Sequence, residues 1–464
     1  MAAARTPMVN VGLEAFAQAL RDQGATAVDV DWRPPAGGDP RLVAVLERLW
    51  GEHGDRVDAA NREAVARIEH TRPCALTVAP AGNVIPRLRD RMLLHAGPPI
   101  DWARVCDPQR RAMAAACLFE GWAGDRREAA ALLSSGEITL ASGNEHCHVG
   151  PMTGICSPSM PVWVVADDDI GVRAYSTLNE GPGDTLWFGV GGDEAVDRLR
   201  FFRDEAGPLL ARLLEREGPV DVFALAAQGL QMGDELHMRS QATGDLLLRT
   251  LAGGFAALGG EPVARFIAGN HHFFLTLTMA AAKCASLAAE GVPASSIVNL
   301  MARNGTDMAL RVAGLPGRWF TGRAPAVEDA LLREGNSPAD AAADIGDSAV
   351  IECVGIGGMA VAASPAVASF FGGRAADAIA RTRLMGEICA ARSERFRIPS
   401  LDYAGSPVGI DARLVVDLRI TPQISTGVLH ASSGAGQIGA GVAHQPVDPF
   451  ADALIALAQD LDES

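Results

Sequence analysis

VNVGLEAFAQALRDQGATAVDVDW, residues 9–32, changes its periodicity twice. Val9 to Val11 reads as a short strand. Leu13 to Gln23 carries apolar residues at helical spacing, Gly24 ends that helix, and Ala27 to Trp32 returns to strand character. This is a β-α-β unit, followed by the turn-rich RPPAGGD, residues 33–39. Working outward, helices are expected from about Pro40 to Leu49 and from about Ala59 to Ile68. Strands are expected at Cys74–Val78 and Met92–Leu94, the latter ending at His95. Strands alternating with helices predict a largely parallel sheet.

A helical stretch from Pro108 to Leu133 precedes further strand patterns at Val162–Ala166, Arg173–Leu178 and Thr185–Val190. From Glu194 onward the spacing is helical, making residues 220–312 the most helical part, and past Pro316 loops, strands and glycines return. The expected fold class is therefore α/β and multi-domain, with mixed sheets and a central all-helical domain. The expected divisions are an N-terminal α/β region at 1–215 with a Rossmann-like start, a helical domain at 216–325, and a C-terminal α/β region at 326–464.

Composition narrows the function classes. The chain has 464 residues, 48% of them hydrophobic and 21% charged, which suits packed globular units and not a disordered chain. A net charge of −16 disfavours nucleic acid and anionic membrane as partners, and with only Tyr175 and Tyr403 there is little tyrosine for base stacking. Eight cysteines without a C-x-x-C pair indicate reduced thiols and no disulfide framework. Glu14 and Arg21 interrupt any leader-like apolar run, so a cytoplasmic location is expected. Val354 to Gly373 contains no charge, but its glycines and Pro365 favour a buried strand-turn-helix over a membrane span.

Three polar clusters stand out. In the first, Asn144, Glu145 and His146, followed by His148, put imidazole beside carboxylate for acid–base work near neutral pH. Ser157 and Ser159 follow, able to bind an oxyanion or to cap turns. The second is QMGDELHMR, residues 231–239, with Asp234, Glu235, His237 and Arg239; an i,i+4 ion pair is the alternative to a site. Asn270 and His272 belong to IAGNHHFF, where Asn270 is a credible helix cap that leaves the adjacent histidines unexplained. In the third, MARNGTDMALRV, Arg303 and Arg311 flank Asn304, Gly305, Thr306 and Asp307. Asn-Gly predicts a turn that projects both guanidiniums toward an anion, with an internal ion pair to Asp307 as the alternative. Of the glycine-rich turns, VGIGGMAVA (354–362) and FGVGGDEAV (188–196) are expected to follow strands and aim N–H groups at an anion. GAGQIG (434–439) lies too near the C-terminus for a dinucleotide fold. No cysteine or histidine pair has a familiar ligand spacing, so neither metal nor cofactor is expected.

Taken in order, VNVGLEAF, VDVDWRPPAGGD, LHAGPPI, NEH, VGPMTG, SPSMPVWVV, LNEG, QMGDE, NHHFF, MARNGTDMALRV, DIGDSA, GIGG and GQIGAG make the chain similar to the YahG/YlbE-like family of bacterial proteins over residues 9 to 450. The resemblance implies a transferase subunit, associated with oxamate carbamoyl transfer in allantoin breakdown and accompanied by FdrA-type proteins. The chain lacks the S-x-R-T and H-P-x-Q strings of aspartate and ornithine carbamoyltransferases, and many family members carry Asp or Glu where His271 stands.

The expected reaction moves a carbamoyl group between carbamoyl phosphate and oxamate or a ureide. Glu145, His146, Arg303, Asp307 and Arg311 are the expected catalytic set. Asn144, Ser157, Ser159, Asn179, Glu180, Asp234, Glu235, His237, Arg239, Asn270, His272, Asn304, Thr306 and Asp347 are expected to bind substrate, and Gly355, Gly357 and Gly358 phosphate. Partners would be a small anionic substrate, an FdrA-like subunit and further copies of the chain. The rival readings are a non-catalytic scaffold for that subunit and an acyl or amide transferase on another substrate.

Overall fold

The computed structural model describes residues 8–31, 33–327, 330–369 and 373–463; Trp32, the last residue of the second expected strand, lies outside them. Eight strands form in the first half: β1 (Met8–Val11), β2 (Ala27–Val30), β3 (Cys74–Pro80), β4 (Met92–His95), β5 (Thr139–Ser142), β6 (Pro161–Asp167), β7 (Val172–Thr177) and β8 (Val220–Asp221). β1 and β2 pair in parallel around the helix Glu14–Asp22, as the opening periodicity predicts. The expected large parallel sheet does not form. β4 pairs parallel with β5, but the principal sheet, in the order β7-β6-β3-β8, is antiparallel throughout. For the β6–β7 pair the reason is local, whereas β3 meets β6 and β8 from far away in the chain. Only a tight turn separates β6 from β7, too short for the crossover a parallel pair requires.

β6 is buried along its whole length, consistent with the unbroken apolar run PVWVVA. Against β6 and β7 packs the helix Leu275–Ala289, which is apolar on nearly every side and buried accordingly. Trp163 of β6 is fully enclosed, with Phe273 edge-on at 6.0 Å. The main hydrophobic cluster draws residues from Ala36 to Leu461, so all three stretches distinguished in the sequence contribute to one core.

The second half adds β9 (Val298–Asn304), β10 (Asp307–Val312), β11 (Phe320–Arg323), β12 (Leu331–Leu332), β13 (Ile345–Gly346), β14 (Cys389–Ile398), β15 (Ala404–Ile410), β16 (Gln423–Leu429) and β17 (Gln437–His444). The helical run therefore ends at Ala289, and the last part of the stretch 220–312, expected to be the most helical, is a β-hairpin. Both of its strands are buried on both faces, which erases the alternation that marks a strand in sequence. The Asn-Gly turn is where it was expected. The arginines beside it are not neighbours, because Met308 pairs with Arg303 and Arg311 with Leu300. Cross-strand partners share a face and successive residues alternate, so Arg303 and Arg311 project to opposite faces.

Two other expectations change. Thr185–Val190 is a turn and not a strand, and residues 348–363 wind into short 3-10 segments with no strand before the glycines. No helix among the described residues is long and apolar enough to cross a membrane.

Arg303 is wholly buried and grips Asp344 with two nitrogens, at 2.7 and 3.1 Å, while its third donates to the Gly346 carbonyl at 2.6 Å. Thr426 of β16 donates to the same carboxylate at 3.1 Å. One ion pair thus ties the hairpin to the strand segment beside it and to the next sheet. Removing one partner leaves a buried charge uncompensated. We predict that Asp344→Ala costs about 3–5 kcal/mol in denaturant unfolding, and that the double change Arg303→Met with Asp344→Leu recovers most of it. An unchanged unfolding midpoint in Asp344→Ala would contradict this.

Candidate functional site

A cavity of about 490 Å³ is lined in part by Thr426, the residue that bonds Asp344 of that ion pair. His237, Ser348 and Thr426 are buried at its floor, whereas His271 and Arg333 stand exposed at its rim. The segments that build it are distant in sequence: the loop after helix Val222–Gln231, the turn 179–190, Asn270–His272, the 3-10 segments from Ser348, and β16 with the start of β17.

The loop 234–239 is organised by its own carboxylates. Glu235 accepts N–H groups from His237 at 3.0 Å, Met238, and Arg239 at 2.8 Å. Burial pushes its carboxyl up to about 7, and the neighbouring His237 opposes that rise. Asp234 accepts from the Thr243 N–H and hydroxyl, both at 2.7 Å, and pairs with Arg239 at 3.3 Å. The expected i,i+4 pair between Glu235 and Arg239 is thus a backbone bond, and the segment is a loop and not a helix.

So held, His237 donates from Nδ1 to Glu352 at 2.7 Å, and Glu352 also accepts the Gly358 N–H at 2.9 Å. Among the described residues nothing hydrogen-bonds to the other ring nitrogen, Nε2. Gly357 makes the approach possible: its φ is +65°, and a Cβ there would lie 2.3 Å from the Glu352 carboxylate and 3.2 Å from His237. The three glycines expected to hold phosphate are already engaged. Gly355 donates to the Glu352 carbonyl, Gly357 to the Glu235 carbonyl and Gly358 to the Glu352 side chain. They cradle an ion pair in place of an anion.

His237 and His272 are pushed in opposite directions. Burial works against a charged His237, but the charge and hydrogen bond of Glu352, with Glu235 nearby, outweigh it and raise its pKa. Burial dominates at His272 and lowers its pKa, with the Met238 carbonyl opposing the shift and His271 adding to it. His272 donates from Nε2 to the Met238 carbonyl at 2.8 Å. A carbonyl can only accept, so the neutral ring keeps its proton on Nε2 and its lone pair on Nδ1.

Asn270 fixes His272 by accepting its backbone N–H at 3.0 Å, and it donates to the Asn179 carbonyl and side chain at 3.1 and 3.0 Å. Glu180 accepts the N–H groups of Leu186 and Trp187, and burial raises its carboxyl to about 7. Together they fold the 179–190 turn and set Trp187 and Phe188 stacked at 4.1 Å along the cavity wall.

The remaining expected residues lie elsewhere. Glu145 and His146 turn apart: His146 donates to the Pro86 carbonyl at 2.9 Å, whereas Glu145 receives Trp319 at 3.3 Å and faces Arg311 at 3.8 Å. Arg311 also pairs with Glu290 at 3.4 Å and lies over the Trp319 ring. With Arg303 saturated by Asp344, neither arginine reaches the cavity. Asn304 accepts the N–H groups of Thr306 and Asp307 and closes the hairpin turn, while Thr306 and Asp307 bind Arg104. Ser159 binds Glu120 twice, and Ser157 is buried away from the cavity. Asn144 donates to Asp347 at 2.9 Å, a carboxylate that also accepts from Gly97 and Gly150 and is raised by burial to about 6. Asp347 supports the cavity from behind Ser348.

Sequence reasoning missed Glu352, Asp344, Arg333 and Lys283. Two of them carried a signal. Glu352 is the one charged residue between Asp347 and Arg374, and Lys283 is the single lysine beside 39 arginines. Lys283 is buried and donates to Asn144 at 3.3 Å; burial lowers its pKa to about 8. Among the described residues, no group of three or more His, Cys, Asp or Glu side chains is placed to share a metal ion.

The His237–Glu352 pair is open to direct measurement. The raised pKa means that protonated His237 stabilises the fold below the unfolded value near 6.5, a contribution lost as pH rises through the folded value. Glu352→Gln keeps an acceptor for the Nδ1–H and the Gly358 N–H but removes the charge. We predict that imidazole NMR titration places His237 above 6.5 in the parent and below it in Glu352→Gln. An unmoved titration would show that Glu352 does not set the histidine.

The sequence profile of the family described as "Oxamate carbamoyltransferase subunit AllG" matches residues 138–348. The protein YahG of Escherichia coli K12 is 38% identical over 97% of this chain and 96% of its own. The oxamate carbamoyltransferase subunit AllG of the same organism is 42% identical over 87% of this chain and 98% of its own. A crystal structure of a conserved protein of unknown function from Enterococcus faecalis V583 superposes with a TM-score of 0.85 at 37% identity, covering 87% of this chain and 98% of that one. The chain belongs to the family of YahG and AllG.

Proposed function

We propose that the protein is a subunit of an oxamate carbamoyltransferase-type enzyme, and that the carbamoyl acceptor binds in the cavity between His237 and His272. The observation that carries this reading is two histidines lining one cavity with opposite partners, a carboxylate on Nδ1 of His237 and a backbone carbonyl on Nε2 of His272, surroundings that divide them into acid and base. The names of the relatives support the reaction class.

In this reading the amide nitrogen of the acceptor attacks the carbonyl carbon of carbamoyl phosphate. A C–N bond forms, the C–O bond to phosphate breaks, and the nitrogen's proton passes to Nδ1 of His272. Protonated His237, held by Glu352, donates from Nε2 to the oxygen on which negative charge develops, a role best filled inside a site that excludes water. Arg333, which has no carboxylate partner among the described residues, attracts the anionic substrates to the mouth. Assembly with further subunits, an FdrA-type chain among them, and self-association belong to the same proposal, so the assays use the assembled enzyme.

The sign of the pH dependence follows. Turnover rises as His272 loses its proton below pH 6.5, and falls as His237 loses its own above pH 6.5. A bell-shaped profile with its plateau around neutrality is expected, and Glu352→Gln should pull the alkaline limb downward while leaving the acidic limb in place. His272→Ala should reduce kcat by roughly 10²–10⁴-fold. A profile without an acidic limb, or His272→Ala within a few-fold of the parent in a folded enzyme, would overturn the assignment.

A further inference from the structure

The cavity is chemically mismatched to the small substrates of the reaction class. Oxamate and carbamoyl phosphate offer almost no apolar surface, yet Met152, Trp187, Phe188, Val190 and Leu275 all line the cavity. At about 490 Å³ the space is in the range that takes a ligand of some twenty atoms, built from an apolar wall and a few placed polar groups. Its polar groups are divided in depth. His237, Ser348 and Thr426 are buried at the floor, Asp184 is half-buried, and Arg333, the one guanidinium among the lining residues, is exposed at the rim with His271. In oxamate the carboxylate is bonded directly to the amide carbon. Such a molecule has no body of its own to cover the apolar residues that line the space between the buried His237 and the exposed Arg333.

Resting on the acceptor site proposed above, we infer that the preferred acceptor is a primary amide whose anionic group stands at the far end of an apolar or aromatic body. The amide reaches the floor beside His237 and His272, the body lies on Trp187 and Phe188, and the anion meets Arg333. Trp187 and Phe188 stack on each other with ring centroids 4.1 Å apart, which holds both as a rigid aromatic surface against which that body packs. Burial of that body strengthens binding in proportion to the apolar area removed from water, while the amide chemistry is unchanged: the nitrogen gains the carbamoyl group and phosphate departs. The same division of polar groups explains why the rim carries a single guanidinium and not the arginine cluster that bare dianions would call for.

The test compares oxamate with 4-carbamoylbenzoate, which keeps the primary amide and the carboxylate and inserts a phenylene ring between them. Calorimetric titration of the full chain should show 4-carbamoylbenzoate binding at least ten-fold more tightly than oxamate. Phe188→Ala and Arg333→Gln should each remove most of that advantage, and His237→Gln should weaken both compounds. Oxamate binding as tightly as 4-carbamoylbenzoate, and losing affinity in His237→Gln, would overturn the extended-acceptor inference and leave the site standing. Binding of either compound that is indifferent to His237→Gln, or no binding of either, would overturn the site together with the inference.

Discussion

The fold around the site depends on one buried ion pair. Arg303 and Asp344 are both closed off from solvent, and the cost of burying two charges is met by a two-point grip with further hydrogen bonds to the Gly346 carbonyl and from Thr426. The geometry is demanding, and it is also instructive. Arg303 belongs to a hairpin, Asp344 to the segment leading into the 3-10 turns, and Thr426 to a separate sheet. At the floor of the cavity, Thr426 bonds this pair directly, and Ser348 stands two residues beyond Gly346, whose carbonyl Arg303 holds. An arginine that looks from sequence like an anion clamp is enclosed in an internal ion pair with Asp344.

A second tier of charges performs the site's own work. Glu235 is consumed by three N–H groups and shapes a loop; that loop delivers His237 to Glu352, 115 residues away in sequence. The glycines of GIGG permit the contact by lacking side chains. Opposite them, the Met238 carbonyl fixes the tautomer of His272. The carbonyl of one residue and the neighbour of another therefore decide which histidine carries charge, and neither ring alone would reveal it.

Much of this was partly legible in the chain. The opening β-α-β unit could be read because each of its elements has a local signature, and the Asn-Gly turn announced a reversal at residues 304–305. The hairpin on either side could not be read: buried on both faces, MARN and DMALRV lack the alternation that distinguishes a strand from a buried helix. The antiparallel sheet was hidden for a related reason, since strand order is set by long-range pairing. Among the candidate residues, His237, Asn270 and His272 do meet at one cavity, because unusual polar residues in apolar surroundings are visible in sequence. Glu145 and His146 are adjacent in the chain yet face different partners, which adjacency could not convey. Glu352 stood alone in an uncharged run, but only the fold names its partner.

The central claim is that the acceptor binds between His237 and His272. The most direct measurement is NMR of the protein with ¹⁵N-labelled imidazoles, titrated with oxamate to saturation. The account predicts that the ring signals of His237 and His272 move together, with His237 retaining its proton and His272 keeping an unprotonated Nδ1, while His146 stays still. Shifts confined to His146, with both cavity histidines unmoved, would contradict it.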